Sequence, residues 1–116
     1  MRAPPAYVPG HGLLTGKSVL ITAAAGAGIG FSTALKCVEE GCRAIMISDV
    51  HPRRLEEAVT KLAEAAGGRP VFGQLCDVTK EEQVQTLINT AEEKLGGVDV
   101  LINNAGLGGS KLIVEM

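Results

Sequence analysis

Thr22-Ala23-Ala24-Ala25-Gly26-Ala27-Gly28-Ile29-Gly30 is the stretch on which the reading of this chain turns. The apolar segment Ser18-Val19-Leu20-Ile21 runs into it and has the character of a strand. Beyond it Ile29, Thr33, Ala34, Cys37 and Val38 recur at helical spacing and predict a helix with those residues on one side. Strand, glycine-rich turn and helix together aim backbone N–H groups and the positive end of a helix dipole at one point, which suits a phosphate. Glycine serves such a turn because it reaches φ > 0 and because a side chain would hold a pyrophosphate off the backbone. The loop therefore predicts a dinucleotide site.

Working outward, the same alternation repeats. Gly16-Lys17 leads into the first strand, residues 18–22, and the first helix is expected to end near Glu39-Glu40 with Gly41 just past it. Ala44-Ile45-Met46-Ile47-Ser48 is short and unalternating, as in a strand covered on both faces, and it ends in Asp49. Pro52 suits the first turn of a second helix, whose stripe is Leu55, Ala58, Val59, Leu62 and Ala66 and whose stop is Gly67-Gly68. Val71–Cys76 is a third strand, followed by Asp77-Val78. Thr79-Lys80-Glu81-Glu82 has capping-box spacing, with Thr79 as N-cap and Glu82 reaching back to it. Val84, Leu87, Ile88, Ala91 and Leu95 form the third stripe, Gly96-Gly97 ends it, and Val98–Ile102 is a fourth strand opening into Asn103-Asn104-Ala105-Gly106. The order βαβαβαβ with short connections requires right-handed crossovers and a parallel sheet. Residues 1–12, with Pro4, Pro5, Pro9, Gly10 and Gly12, read as an irregular arm that Leu13 and Leu14 dock onto a domain covering 13–116.

Composition agrees. The 116 residues allow one domain, and with 46% hydrophobic but only 3% aromatic residues the core must be built from Val, Ile, Leu and Ala. A net charge of −2 gives no electrostatic case for nucleic acid or an anionic membrane. No apolar run approaches the roughly 18–20 residues of a membrane span, and the Pro-rich start lacks the apolar core of a secretion signal. A cytoplasmic location is the expectation. Cys37, Cys42 and Cys76 form no CxxC pair and read as small buried hydrophobes in a reducing compartment. His11 and His51 lack metal-ligand spacing, so no metal is expected.

A second check on the loop is an acidic residue closing the next strand, expected about 20 residues on, to hold the ribose hydroxyls. Asp49 fills that place; its plainer reading is a turn aspartate at the start of the second helix. A carboxylate there accepts from the ribose and repels a 2′-phosphate, which favours NAD. NADP is not excluded, because Arg53 and Arg54 follow closely, although with Glu56 and Glu57 they also make an ordinary solvated helix face.

Taken together, Gly16-Lys17, Gly28-Ile29-Gly30, Asp49, Asp77-Val78 and Asn103-Asn104-Ala105-Gly106 resemble the short-chain dehydrogenase/reductase family, across essentially everything after the arm. The resemblance implies a Rossmann-type doubly wound α/β sheet with strand order 3-2-1-4, its switch point between strands 1 and 4. It also implies hydride transfer between a nicotinamide cofactor and a ketone or secondary alcohol. Carried over, Gly28 and Ile29 would meet the pyrophosphate, Gly30 would allow close helix packing, and Asp49 would take the adenosine ribose. Asp77 and Val78 would bound the adenine, and Asn103, Asn104, Ala105 and Gly106 would run beside the nicotinamide ribose and brace the sheet. His11-Gly12-Leu13-Leu14, Ala23–Gly26 and Asn104–Gly109 look most like actinobacterial steroid-degradation reductases of this family, implying a steroid-derived, CoA-linked substrate. The family is usually homo-oligomeric.

Two departures stand out. The family pattern Thr-Gly-x-x-x-Gly-x-Gly has eight positions where Thr22–Gly30 has nine, so Ala24 falls at the first glycine and Gly26 supplies the flexibility Ala24 lacks. The family's catalytic serine and Tyr-x-x-x-Lys have no counterpart here: the one tyrosine, Tyr7, is followed four residues on by His11. Ser110 and Lys111 show no base or orienting partner and read as loop surface. The expectation is a cofactor-binding half of such an enzyme, incomplete at its C-terminal side and without a catalytic residue. The competing readings are a non-catalytic nucleotide-binding or interaction module and a fragment with no function of its own.

Overall fold

A computed structural model describes residues 10–23 and 28–103. Strands and helices alternate as β1 (Ser18–Ile21), α1 (Ile29–Glu39), β2 (Ala44–Asp49), α2 (Pro52–Ala66), β3 (Val71–Leu75), α3 (Glu81–Leu95) and β4 (Val100–Ile102). The strands form one parallel sheet in the order β3-β2-β1-β4, as the sequence predicts.

Side-chain alternation splits the core into two layers. Val19, Ile21, Ile45 and Ile47 point to the face covered by α1 and α2, where Ala34, Cys37, Val38, Leu55, Ala58, Leu62 and Ala66 meet them. Leu20, Ala44 and Met46 point to the opposite face, beneath Leu87, Ala91 and Leu95 of α3. β1 and all of β2 but Asp49 are buried because both faces are covered. The outer strands β3 and β4 are only half covered, and Leu101 on the α3 side of β4 is 49% exposed.

Glycines end the helices where expected. Gly41 (φ 86°) follows α1, with its N–H bonded to the Val38 carbonyl and the Cys42 N–H to that of Cys37, a complete Schellman motif. Gly73 allows α2 to lie against β3: a Cβ there would stand 2.6 Å from Val59 Cγ2 and 3.2 Å from Leu55 Cγ.

Four local expectations change. Ile29 is 78% exposed rather than part of the buried stripe, because it occupies the first position of α1 beyond the sheet edge. Thr79 does not cap α3; the N-cap is Lys80, which makes no side-chain cap bond. The Asp77 carboxylate instead takes both the Thr79 N–H (3.0 Å) and hydroxyl (2.6 Å), and Gln83 Oε1 reaches back to the Asp77 N–H. β4 begins at Val100, since Asp99 turns its carboxylate onto the Ser18 N–H (2.9 Å) and ties the start of β1 to that of β4. Finally, Leu13 is 72% exposed while Leu14 packs on the core. The chain before β1 is held mainly by Glu39 and Glu40. Glu40 Oε1 accepts the N–H groups of His11 (2.8 Å) and Leu13 (3.1 Å), and Glu39 Oε1 that of Gly10.

Candidate dinucleotide-binding site

The C-terminal ends of four parallel strands share one edge of the sheet, and the predicted site residues that the structure describes gather there. Ala24, Gly26, Asn104, Ala105 and Gly106 lie outside the described residues, as do Tyr7, Ser110 and Lys111. Gly28, Asp77-Val78 and Asn103 follow β1, β3 and β4 in turn, and Asp49 ends β2.

β1 delivers the chain to the N-terminus of α1. The additional residue between Thr22 and Gly28 is accompanied by a left-handed backbone at Ala23 (φ 52°), the one non-glycine residue with positive φ among those described. Such a conformation costs an L-residue roughly 1–2 kcal/mol. Gly28 is the N-cap of α1, with no side-chain cap bond and no acidic residue in the first turn. Its φ of −93° is open to any residue, and among the described residues a Cβ there would have no neighbour within 4 Å. Such a glycine leaves room for a ligand to approach the backbone. The uncapped donors and unfilled cradle fit a pyrophosphate. Gly30 is buried in α1.

β2 ends in Asp49, whose Oδ1 accepts the N–H groups of Val50 (2.8 Å) and His51 (3.1 Å). The plainer role of an aspartate at the start of a helix is thus realised here, and it orients the carboxylate at the sheet edge. β3 leads into Asp77, whose carboxyl is held below the usual range by the Thr79 hydroxyl and then the Thr79 N–H. Val78 packs half-buried against the α3 layer.

β4 opens into Asn103. The Thr22 hydroxyl donates to Asn103 Oδ1 at 3.2 Å, and the Thr22 N–H to the Ile102 carbonyl at 3.1 Å, so the loop after β1 and the loop after β4 are joined at the point where strand order reverses.

Ser48 was not among the expected site residues. It is fully buried and its hydroxyl has no hydrogen-bond partner among the described residues. Strand register places it beside Gln74 of β3, one residue past the last β1–β2 pair, Ile21 with Ile47. The signal was legible as one polar residue closing the run Ala44–Ile47. The cysteines take no part: all three are buried, and burial, helped by Cys42 and Glu40, pushes the Cys37 thiol up to about 11.

Comparison with known proteins agrees with the fold. Residues 17–116 match the sequence profile of the short chain dehydrogenase family. The chain belongs to that family. It is 47% identical over 112 residues to the (5R,7aS)-5-hydroxy-7a-methyl-1-oxo-2,3,5,6,7,7a-hexahydro-1H-indene-carboxyl-CoA reductase of Mycobacterium tuberculosis, covering 97% of this chain and 42% of that protein. It is 38% identical over 98 residues to the 7alpha-hydroxysteroid dehydrogenase of Escherichia coli, covering 84% and 37%. Among solved structures, a short chain dehydrogenase from Mycobacterium smegmatis superposes with a TM-score of 0.84 at 51% identity, over 92% of this chain and 44% of the other. NAD+-bound xylitol dehydrogenase (TM-score 0.75, 38% identity, 84% and 36% covered) and the Gluconobacter frateurii L-sorbose reductase complexed with NADPH and L-sorbose (0.74, 34%, 89% and 38%) share the fold. The chain thus spans about two-fifths of the length of the relatives it matches. No described helix is long and apolar enough to cross a membrane.

Proposed function

We propose that this chain is the cofactor-binding half of an NAD-preferring oxidoreductase whose substrate is a ketone or secondary alcohol of steroid-derived, CoA-linked character. The observation that carries the reading is Gly28: an N-cap glycine with no side-chain cap bond and, among the described residues, open space where a side chain would stand. Family membership and the likeness to the M. tuberculosis reductase and the E. coli hydroxysteroid dehydrogenase support the substrate class.

Each residue then has a defined task. Gly28 and Ile29, at the N-terminus of α1, meet the pyrophosphate with the helix dipole behind them, and Gly30 allows close helix packing. Asp49 accepts from the adenosine ribose and disfavours a 2′-phosphate, which is the basis for NAD over NADP. Asp77 and Val78 bound the adenine. Asn103, fixed through Thr22, carries the loop Asn104–Gly106 past the nicotinamide ribose. A bound nicotinamide supplies the hydride chemistry. No residue of this chain is assigned as proton donor: its one tyrosine, Tyr7, is followed four residues on by His11, where the family pattern has lysine.

The test is binding of NADH and of ADP-ribose, which contains the groups these residues would touch. Weak but measurable binding of both, lost in Asp49→Ala, supports the reading. No binding of either ligand overturns the dinucleotide site. Submicromolar NADH affinity in the 116-residue chain overturns the half-site reading.

A further inference from the structure

Ser48 poses a problem the site described so far does not use. Its side chain is fully buried, yet its hydroxyl makes no hydrogen bond among the described residues. A buried hydroxyl without a partner loses its hydration and regains nothing, so native proteins rarely keep one. Alanine would fill the position at no such loss, and alanine or cysteine fills its buried neighbours Ala44 and Cys76 on the same side of the sheet. A polar group retained there points to a second state of the chain in which it is satisfied.

Position identifies that state. Ser48 immediately precedes Asp49, the residue read as the ribose acceptor, and alternation turns its side chain to the other face. Its register partner Gln74 lies on β3, the strand that leads to Asp77 and Val78. Gln74 itself makes only a 3.5 Å contact from Nε2 to the Leu75 carbonyl, at the limit of a hydrogen bond. Ser48 and Gln74 thus pair at the C-terminal rim of the sheet, directly above the apolar row Phe72, Met46, Leu20 and Leu101, and Thr22 is bonded to Asn103 at the same rim. The Ser48–Gln74 end adjoins Asp49 and the strand leading to Asp77 and Val78, the residues read above as holding the adenosine end.

We propose that Ser48 is a positioning residue for the adenosine end of the site: its hydroxyl gains a hydrogen-bond partner when adenosine binds, through Gln74 or one trapped water. The inference rests on the dinucleotide reading above. Ser48 couples the ligand to the α3 side of the sheet, where Asp49 cannot reach.

The experiment compares Ser48→Ala and Ser48→Cys with the unaltered 116-residue chain by calorimetric titration with ADP-ribose and with reduced nicotinamide mononucleotide, and by thermal melting. ADP-ribose affinity is expected to fall about five- to tenfold in both variants, the worth of one hydrogen bond. Nicotinamide mononucleotide affinity stays unchanged, and the ligand-free melting temperature stays level or rises. Undiminished ADP-ribose affinity overturns the role. So does a fall in the ligand-free melting temperature, which would give the hydroxyl a structural partner already present. Absence of ADP-ribose binding to the unaltered chain would overturn the dinucleotide reading as well, and is distinguishable because it precedes any substitution.

Discussion

At the scale of single residues, the chain separates glycines the fold needs from one it does not. Gly41 has a left-handed backbone that any Cβ would strain, whereas Gly28 has an ordinary φ and, among the described residues, open space around it. Gly28→Ala is therefore expected to leave the denaturation midpoint unchanged while abolishing ADP-ribose binding; a stability loss above about 1 kcal/mol would make it a structural glycine. Three carboxylates define the response to acid. Glu40 is held low by the N–H groups of His11 and then Leu13, Asp77 by the Thr79 hydroxyl, and Asp99 by the Ser18 N–H. Because their folded pKa values lie below the unfolded ones, the stability they add is complete above the unfolded carboxylate range of about 4. It drains away as pH falls through the folded values. Urea midpoints should be level from pH 7 to about 5 and decline below, less steeply in Glu40→Gln. A flat profile to pH 3 would contradict these assignments.

At the scale of elements, each helix ends where a glycine and a stripe said it would, because both signals are local. Starts were harder. Thr79 and Glu82 had the spacing of a capping box, but Asp77, a stronger acceptor two residues earlier, took the Thr79 donors and moved the cap to Lys80. The holding of the chain before β1 by Glu40, and the Asp99–Ser18 tie, join residues 27 and 81 positions apart, beyond the reach of any periodic signal. The α2–β3 contact is also non-local. It places Gly73 under Val59, so Gly73→Ala is expected to destabilise the chain by about 1–3 kcal/mol through overpacking. A neutral result in chemical denaturation would mean that α2 can lift from β3 freely.

At the scale of the whole molecule, the strand order and both core layers were legible because alternation of short apolar runs with helical stripes admits few topologies. The two joined loops at the switch point were legible as motifs, but not their link through Thr22; Ser48 was legible as a polar residue closing an apolar run, but not that its hydroxyl is orphaned, since hydrogen-bond satisfaction appears only in three dimensions. The same view exposes an open side: among the described residues β4 pairs only with β1, and Leu101 is half exposed. An apolar, unpaired strand edge recruits another strand. The chain studied alone should sediment as a concentration-dependent oligomer, and Leu101→Lys should shift it towards monomer; a monomer at all concentrations would show that the edge is covered.

The central claim is that this chain writes the cofactor end of an oxidoreductase site and favours NAD. The most direct measurement is a calorimetric titration of the chain with NADH, NADPH and ADP-ribose, repeated in Asp49→Ala. NADH and ADP-ribose are expected to bind weakly with similar affinity and NADPH more weakly, with NADH binding lost in the variant. NADPH binding tighter than NADH, or NADH binding indifferent to Asp49, would contradict it.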